Sequence, residues 1–108
     1  MGITRDELIG INSSLGGNLV RSNSLDYAID RANHTKNRFN ACAFLIRAIV
    51  VDHPFSDGNK RTAVYVCQDE LGDPGDTKLT KFVLKIARGN IHNINAIEKR
   101  LRRCYQEN

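Results

Sequence analysis

No apolar run in this 108-residue chain approaches the roughly 20 residues needed to span a bilayer; the longest, Ala41 to Val51, is interrupted by Arg47. The opening Met-Gly-Ile-Thr-Arg-Asp-Glu lacks an apolar signal region. Asp6 stands where a myristoylation signal wants Ser or Thr. These absences predict a cytoplasmic chain with no membrane partner. Cysteine is sparse: Cys42, Cys67 and Cys104 are odd in number and far apart, which argues against a disulfide framework and against a CxxC metal site. Each lies among apolar residues and reads as a buried free thiol. No repeat, low-complexity segment or convincing strand is visible. The GxxxxGK[ST] phosphate loop and the kinase catalytic-loop pattern are both missing.

What is present fits one domain, 1–108, with a single modest core built from 41% hydrophobic residues. The net charge of +4 and pI near 9.2 favour anionic partners: a nucleotide, a nucleic acid or an acidic protein segment. The densest basic patch is Lys99, Arg100, Arg102 and Arg103. Its plain reading is a solvated helix face near a C-terminus, where cations also suit the helix dipole.

Helical signals follow one another along the chain. Thr4-Arg-Asp-Glu7 forms a capping box that starts a first helix near Thr4. Gly16-Gly17-Asn18 is a loop signal. Ser24 is the expected cap of a second helix, with Leu25, Ala28, Ile29 and Ala32 on one face. A third helix is expected from about Asn37 to Asp52, apolar on most sides and therefore central. Pro54 ends it, because the residue before a proline disfavours the helical conformation. A fourth helix is expected from near Asp57, and a fifth from Asp76 or Thr77 to Gly89. The sixth is expected from about Asn93 to Tyr105, with Ile94, Ile97, Leu101 and Cys104 inward. The expected fold is all-α, six helices around a central pair.

The chemistry is concentrated in His53-Pro-Phe-Ser-Asp57-Gly-Asn59-Lys60-Arg61. An apolar helix delivers His53 to its C-terminal end, a tight turn follows, and a second helix begins. Helix N-termini offer unpaired N–H groups and a positive dipole end, which together bind phosphate. Gly58 lets an anion approach the backbone, and Lys60 and Arg61 add two cations, the arginine able to grip phosphate oxygens bidentately. Asp57 is the hard oxygen ligand that Mg²⁺ uses alongside substrate phosphates. His53, as an imidazole, can take a proton from a hydroxyl. Phe55 is expected to point into the core and anchor the turn. Taken singly, each residue has an ordinary reading: Asp57 an N-cap, Gly58 a turn residue, Lys60 and Arg61 solvated charges, His53 a C-cap. Their joint occurrence within nine residues favours a site.

This stretch resembles the H-x-F-x-D-x-N-K-R signature of Doc proteins in the Fic/Doc family. Its six fixed positions would match by chance roughly once in 10⁷–10⁸ sites at average residue usage. Gly16-Gly17 before Leu25-Asp-Tyr-Ala28 resembles the family's N-terminal loop and following helix. Ile86-Ala-Arg-Gly89-Asn-Ile91 resembles its C-terminal region. The resemblance implies that His53 is the general base for a target hydroxyl and that Asp57 holds Mg²⁺. The backbone amides from Ser56 to Asn59, with the Asn59 side chain, would form the anion hole for ATP phosphates. Arg61 would contact the nucleotide phosphates beside Lys60, and Phe55 would be structural.

The AMP-transferring Fic pattern reads G-N-G-R-x-x-R, and here Lys60 replaces its second glycine and Val64 its second arginine. Both departures match Doc proteins, in which the nucleotide sits reversed and the γ-phosphate moves. The resemblance therefore implies a Doc-type kinase, the toxin of a toxin–antitoxin pair, acting on a translation elongation factor. No Ser or Thr stands four residues before Glu7, Glu70, Glu98 or Glu107, so the S/T-x-x-x-E-G/N inhibitory pattern is not met, and a separate antitoxin is the expected restraint. AMP transfer is the alternative within the fold. A catalytically idle basic module that binds a partner or nucleic acid is the alternative outside it, opposed by the intact His53, Asp57, Asn59 and Arg61.

Overall fold

The computed structural model describes residues 1–106, so Glu107 lies outside them. Six α-helices occur among the described residues: α1 Arg5–Ser14, α2 Asn23–His34, α3 Arg38–Ile46, α4 Asn59–Leu71, α5 Lys78–Gly89 and α6 Ile94–Cys104. The all-helical expectation holds, and no helix described is long and apolar enough to cross a membrane.

Three of the helices begin at side-chain caps. Thr4 Oγ1, Asn37 Oδ1 and Asn93 Oδ1 accept from the amides of Glu7, Asn40 and Ala96, each at 3.0–3.1 Å. The other starts differ from expectation for local reasons. Ser24 does not cap α2: it lies inside the helix, and its hydroxyl donates to the Asp52 carboxylate. α4 opens at Asn59 rather than Asp57, because Gly58 is left-handed at φ 71° and cannot join a right-handed helix. Before α5, Asp76 and Thr77 are also left-handed, and the Thr77 hydroxyl donates to the Asp76 carbonyl instead of accepting from the helix.

α3 is the central element. Ala41, Cys42, Ala43, Leu45 and Ile46 are all buried, and α3 packs against α2, α4 and α6. Ala28 and Ala32 of α2 and Ala41 of α3 are buried in this core. Each fully enclosed Leu or Ile here, such as Leu25, Leu45, Ile49 or Ile97, contributes about 1.5–3 kcal/mol over its exposed state. The end of α6 is fixed by Tyr105. Its hydroxyl donates to the Gly72 carbonyl at 2.7 Å, and its ring meets Phe39 edge-on at 5.6 Å. Cys42 and Cys67 are buried as expected, with the Cys67 thiol pushed well up by its hydrogen bond with Cys42 and by enclosure. Cys104 is only half-buried.

Candidate active site

α3 does not run directly into the turn. Residues Arg47–Val51 widen into a π-helical segment, and Asp52 closes it. In an α-helix, neighbours on one face are three or four residues apart. Here the wider turn brings residues five apart together, and Arg47 Nη1 meets Asp52 Oδ2 at 3.3 Å. Arg47 also donates through Nε to the His92 carbonyl at 3.0 Å, which ties this segment to the α5–α6 loop. The next residue, His53, is left-handed at φ 51° and exposed. A non-glycine residue in that conformation stores strain, and such residues gather at functional sites. The register slip and the reversal of φ together turn His53 out of the helix line and into solvent.

The chain from Pro54 to Ser56 runs antiparallel to Asn18–Arg21, with an isolated bridge between Leu19 and Phe55. Val20 N donates to the Pro54 carbonyl at 2.8 Å, and Ser56 N donates to the Asn18 carbonyl at 2.8 Å. Phe55 is 2% exposed and anchors the turn in the core, as its sequence position implied. The Asn59 side chain closes the same turn. Its Oδ1 accepts from Phe55 N at 3.1 Å and its Nδ2 donates to the Phe55 carbonyl at 2.8 Å. The resemblance implies a phosphate contact for this side chain. In the structure it faces inward and holds the backbone that carries the site.

Two of the amides from Ser56 to Asn59, where the resemblance implies an anion hole, already have partners within the chain. The Ser56 amide is taken by Asn18, and the Ser56 hydroxyl accepts from Asn18 N at 3.0 Å. The Gly58 amide holds an anionic oxygen already: Asp57 Oδ1 accepts from it at 2.7 Å. The amides of Asn59, Lys60 and Arg61 open α4 ahead of the first intrahelical bond, Thr62 N to the Gly58 carbonyl at 2.9 Å. These donors, the dipole of the thirteen-residue α4 and the exposed Lys60 make this end of the helix suited to phosphate oxygens. Arg61 is exposed and folds back, donating one of its five N–H groups to the Leu15 carbonyl at 3.2 Å. Val64, one turn further on, packs against the core.

Two residues that sequence reasoning missed position this turn. Asn12, fully buried in α1, donates through Nδ2 to the Asp57 carbonyl at 2.8 Å and to Thr62 Oγ1 at 3.1 Å. Gly17 lies against the same point. A Cβ there would come within 2.3 Å of both Asn12 Oδ1 and the Asp57 carbonyl. The loop after α1 thus touches the turn between His53 and α4 so closely that only glycine fits. Gly16-Gly17 had flagged a loop, with no sign of what it touched.

Asp57 is exposed, and no group of three or more His, Cys, Asp or Glu side chains among the described residues could enclose a metal ion. A lone carboxylate fits Mg²⁺, which is commonly held by one or two carboxylates plus substrate phosphates.

An all-helical domain with an exposed histidine, a side-chain-clamped turn and a phosphate-suited helix N-terminus defines the class. Residues 3–71, well over half of the chain, match the model of the Fic/DOC family. The chain belongs to the Fic/DOC family. No curated protein and no solved structure matches it. α5 and α6 lie beyond the matched residues.

Proposed function

We propose that this protein transfers the γ-phosphate of ATP to a hydroxyl side chain of a target protein, as the toxin of a Doc-type toxin–antitoxin pair. A translation elongation factor is the target class that the resemblance implies. Family membership supports a transferase. The observation that carries the finer reading is the pair Lys60 and Val64. An exposed ammonium stands beside the N-terminus of α4 where the AMP-transferring pattern has glycine, and a core-packed valine stands where that pattern has a second phosphate-gripping arginine.

In this reading His53 removes the proton from the target hydroxyl as its oxygen attacks the γ-phosphorus. The bond from that phosphorus to the β–γ bridging oxygen breaks, and ADP leaves. The α4 amides and Lys60 stabilise charge that grows on the phosphoryl oxygens, and Arg61 swings from Leu15 onto the other phosphates. Mg²⁺, held by Asp57 and the nucleotide, would neutralise part of the phosphate charge.

Gly58, Asn59 and Arg61 also satisfy the G-N-x-R part of the AMP-transferring pattern, which keeps that reaction as the second reading. Parallel incubations with γ-labelled and α-labelled ATP separate the two. Label on the target from γ alone supports the kinase reading; label from α replaces it with AMP transfer.

A further inference from the structure

The charge of this chain is unevenly placed. Residues 78–104 carry eight lysines and arginines against one acid, Glu98; residues 1–77 carry eight against ten acids. The whole positive excess therefore lies in α5, α6 and their loop, outside the span matched to the family. It is also focused. Lys78, Lys81 and Lys85 of α5 face Arg100 and Arg103 of α6 across a groove of about 260 Å³.

Among the described residues, no carboxylate lines that groove. Glu98 is turned elsewhere, held by Arg102 at 3.1 Å and by Asn40 at 2.9 Å. None of the five groove cations forms an ion pair among the described residues. Five like charges around one recess repel one another, and an anionic occupant relieves that cost. The floor is apolar, made by Phe82 and the half-buried Cys104. The Cys104 thiol is pushed up by burial, with Lys78 and Lys85 close enough to pull the other way.

We propose that the α5–α6 groove docks an acidic amphipathic helix of a partner protein, with carboxylates on Lys78, Lys81, Lys85, Arg100 and Arg103 and an apolar side chain on the Phe82–Cys104 floor. Two features favour a peptide over nucleic acid. Lys78, Lys81 and Lys85 repeat at helical spacing over about 10 Å, two turns, which matches the acidic face of a short helix. An apolar floor gives a phosphodiester backbone nothing to bury. The groove is distinct from the His53 turn, so docking here would recruit a partner rather than take part in transfer.

The test uses the full chain and a labelled synthetic peptide of about 15 residues with glutamate on one helical face and leucine on the other. Its controls are a scrambled peptide of the same composition and a single-stranded RNA of matched charge. The amphipathic peptide should bind at least roughly tenfold more tightly than the scramble, and its affinity should fall as salt rises. Lys81→Glu with Lys85→Glu should weaken it about tenfold or more. Arg5→Glu with Lys36→Glu, equal in charge change but away from the groove, should leave it within about twofold. Circular dichroism of each variant establishes that it is folded, and Arg100→Gln with Arg103→Gln provides a milder second groove variant. Equal binding of peptide and scramble, tighter binding of the RNA, or equal loss from the two charge-reversed pairs would each overturn the proposal.

Discussion

The side-chain amide of Asn12 donates to the backbone carbonyl of Asp57 at 2.8 Å, across 45 residues of sequence. Through this bond, α1 sets the height of the turn between His53 and α4. The same Nδ2 also reaches Thr62 Oγ1, so a single buried amide holds the turn and the first coil of α4 to one support. The site is thus positioned from below by Asn12 and from within by Asn59, while the groups proposed to meet the substrates stay on the surface.

Asn12→Ala should lower both stability and transfer. One buried acceptor, Thr62 Oγ1, loses its donor at about 1–3 kcal/mol, and the part-buried Asp57 carbonyl loses its donor at a smaller cost. Asn12 Oδ1 has no partner in the structure, so its removal offsets part of that cost. The net loss should fall near the lower end of the range and be read as a lowered denaturant midpoint. An unchanged midpoint together with unchanged transfer would show that the tether does nothing.

Gly17→Ala should be more damaging than its size implies. The new methyl would lie 2.3 Å from the Asp57 carbonyl, well inside van der Waals contact. Overpacking of this kind costs about 1–3 kcal/mol, and the turn must move to relieve it. A displacement of about 1 Å at a catalytic group can cost 10²-fold in rate. Transfer should therefore fall by much more than the folded fraction does. A variant that loses activity only in proportion to unfolding would contradict this.

Lys60→Gly with Val64→Arg tests what selects the reaction. The glycine opens the end of α4, and the arginine returns a second phosphate clamp. The double variant should lose γ-phosphate transfer, because Lys60 supplies charge beside the transferred group. Gain of AMP transfer depends on finer positioning. Phosphate adducts forming at the wild-type rate would show that these two positions do not choose the reaction.

Much of the architecture is legible in the sequence because caps and apolar periodicity are local. Thr4, Asn37 and Asn93 each have their partner amide within three residues, and α3 is apolar on most sides. The start of α4 is less so: an acidic residue leading a helix looks the same whether the glycine after it is helical or left-handed. The π-helical segment leaves no mark in apolar periodicity, and only the Arg47–Asp52 spacing of five hints at it.

The candidate site divides the same way. The groups proposed to react are contiguous, from His53 to Arg61, and so could be read as a motif. Its supports could not, since Asn12 and Gly17 meet Asp57 only after folding. Asn59 shows a further limit, because one side chain type serves equally to bind a ligand or to clamp a turn. The basic run at 99–103 is split by the helix turn: Arg100 and Arg103 face the α5 lysines, while Arg102 pairs with Glu98 and lies over Phe39 at 4.6 Å.

The most direct measurement is intact mass spectrometry of a hydroxyl-bearing target after incubation with ATP, Mg²⁺ and either the wild-type chain or His53→Ala. His53 is exposed and lies just past its helical segment, so the variant should keep its fold and circular dichroism. The wild type should add one phosphate to the target, and His53→Ala should do so 10²–10⁴-fold more slowly or not at all. An AMP-sized adduct, or phosphate addition at the wild-type rate by His53→Ala, would contradict the account.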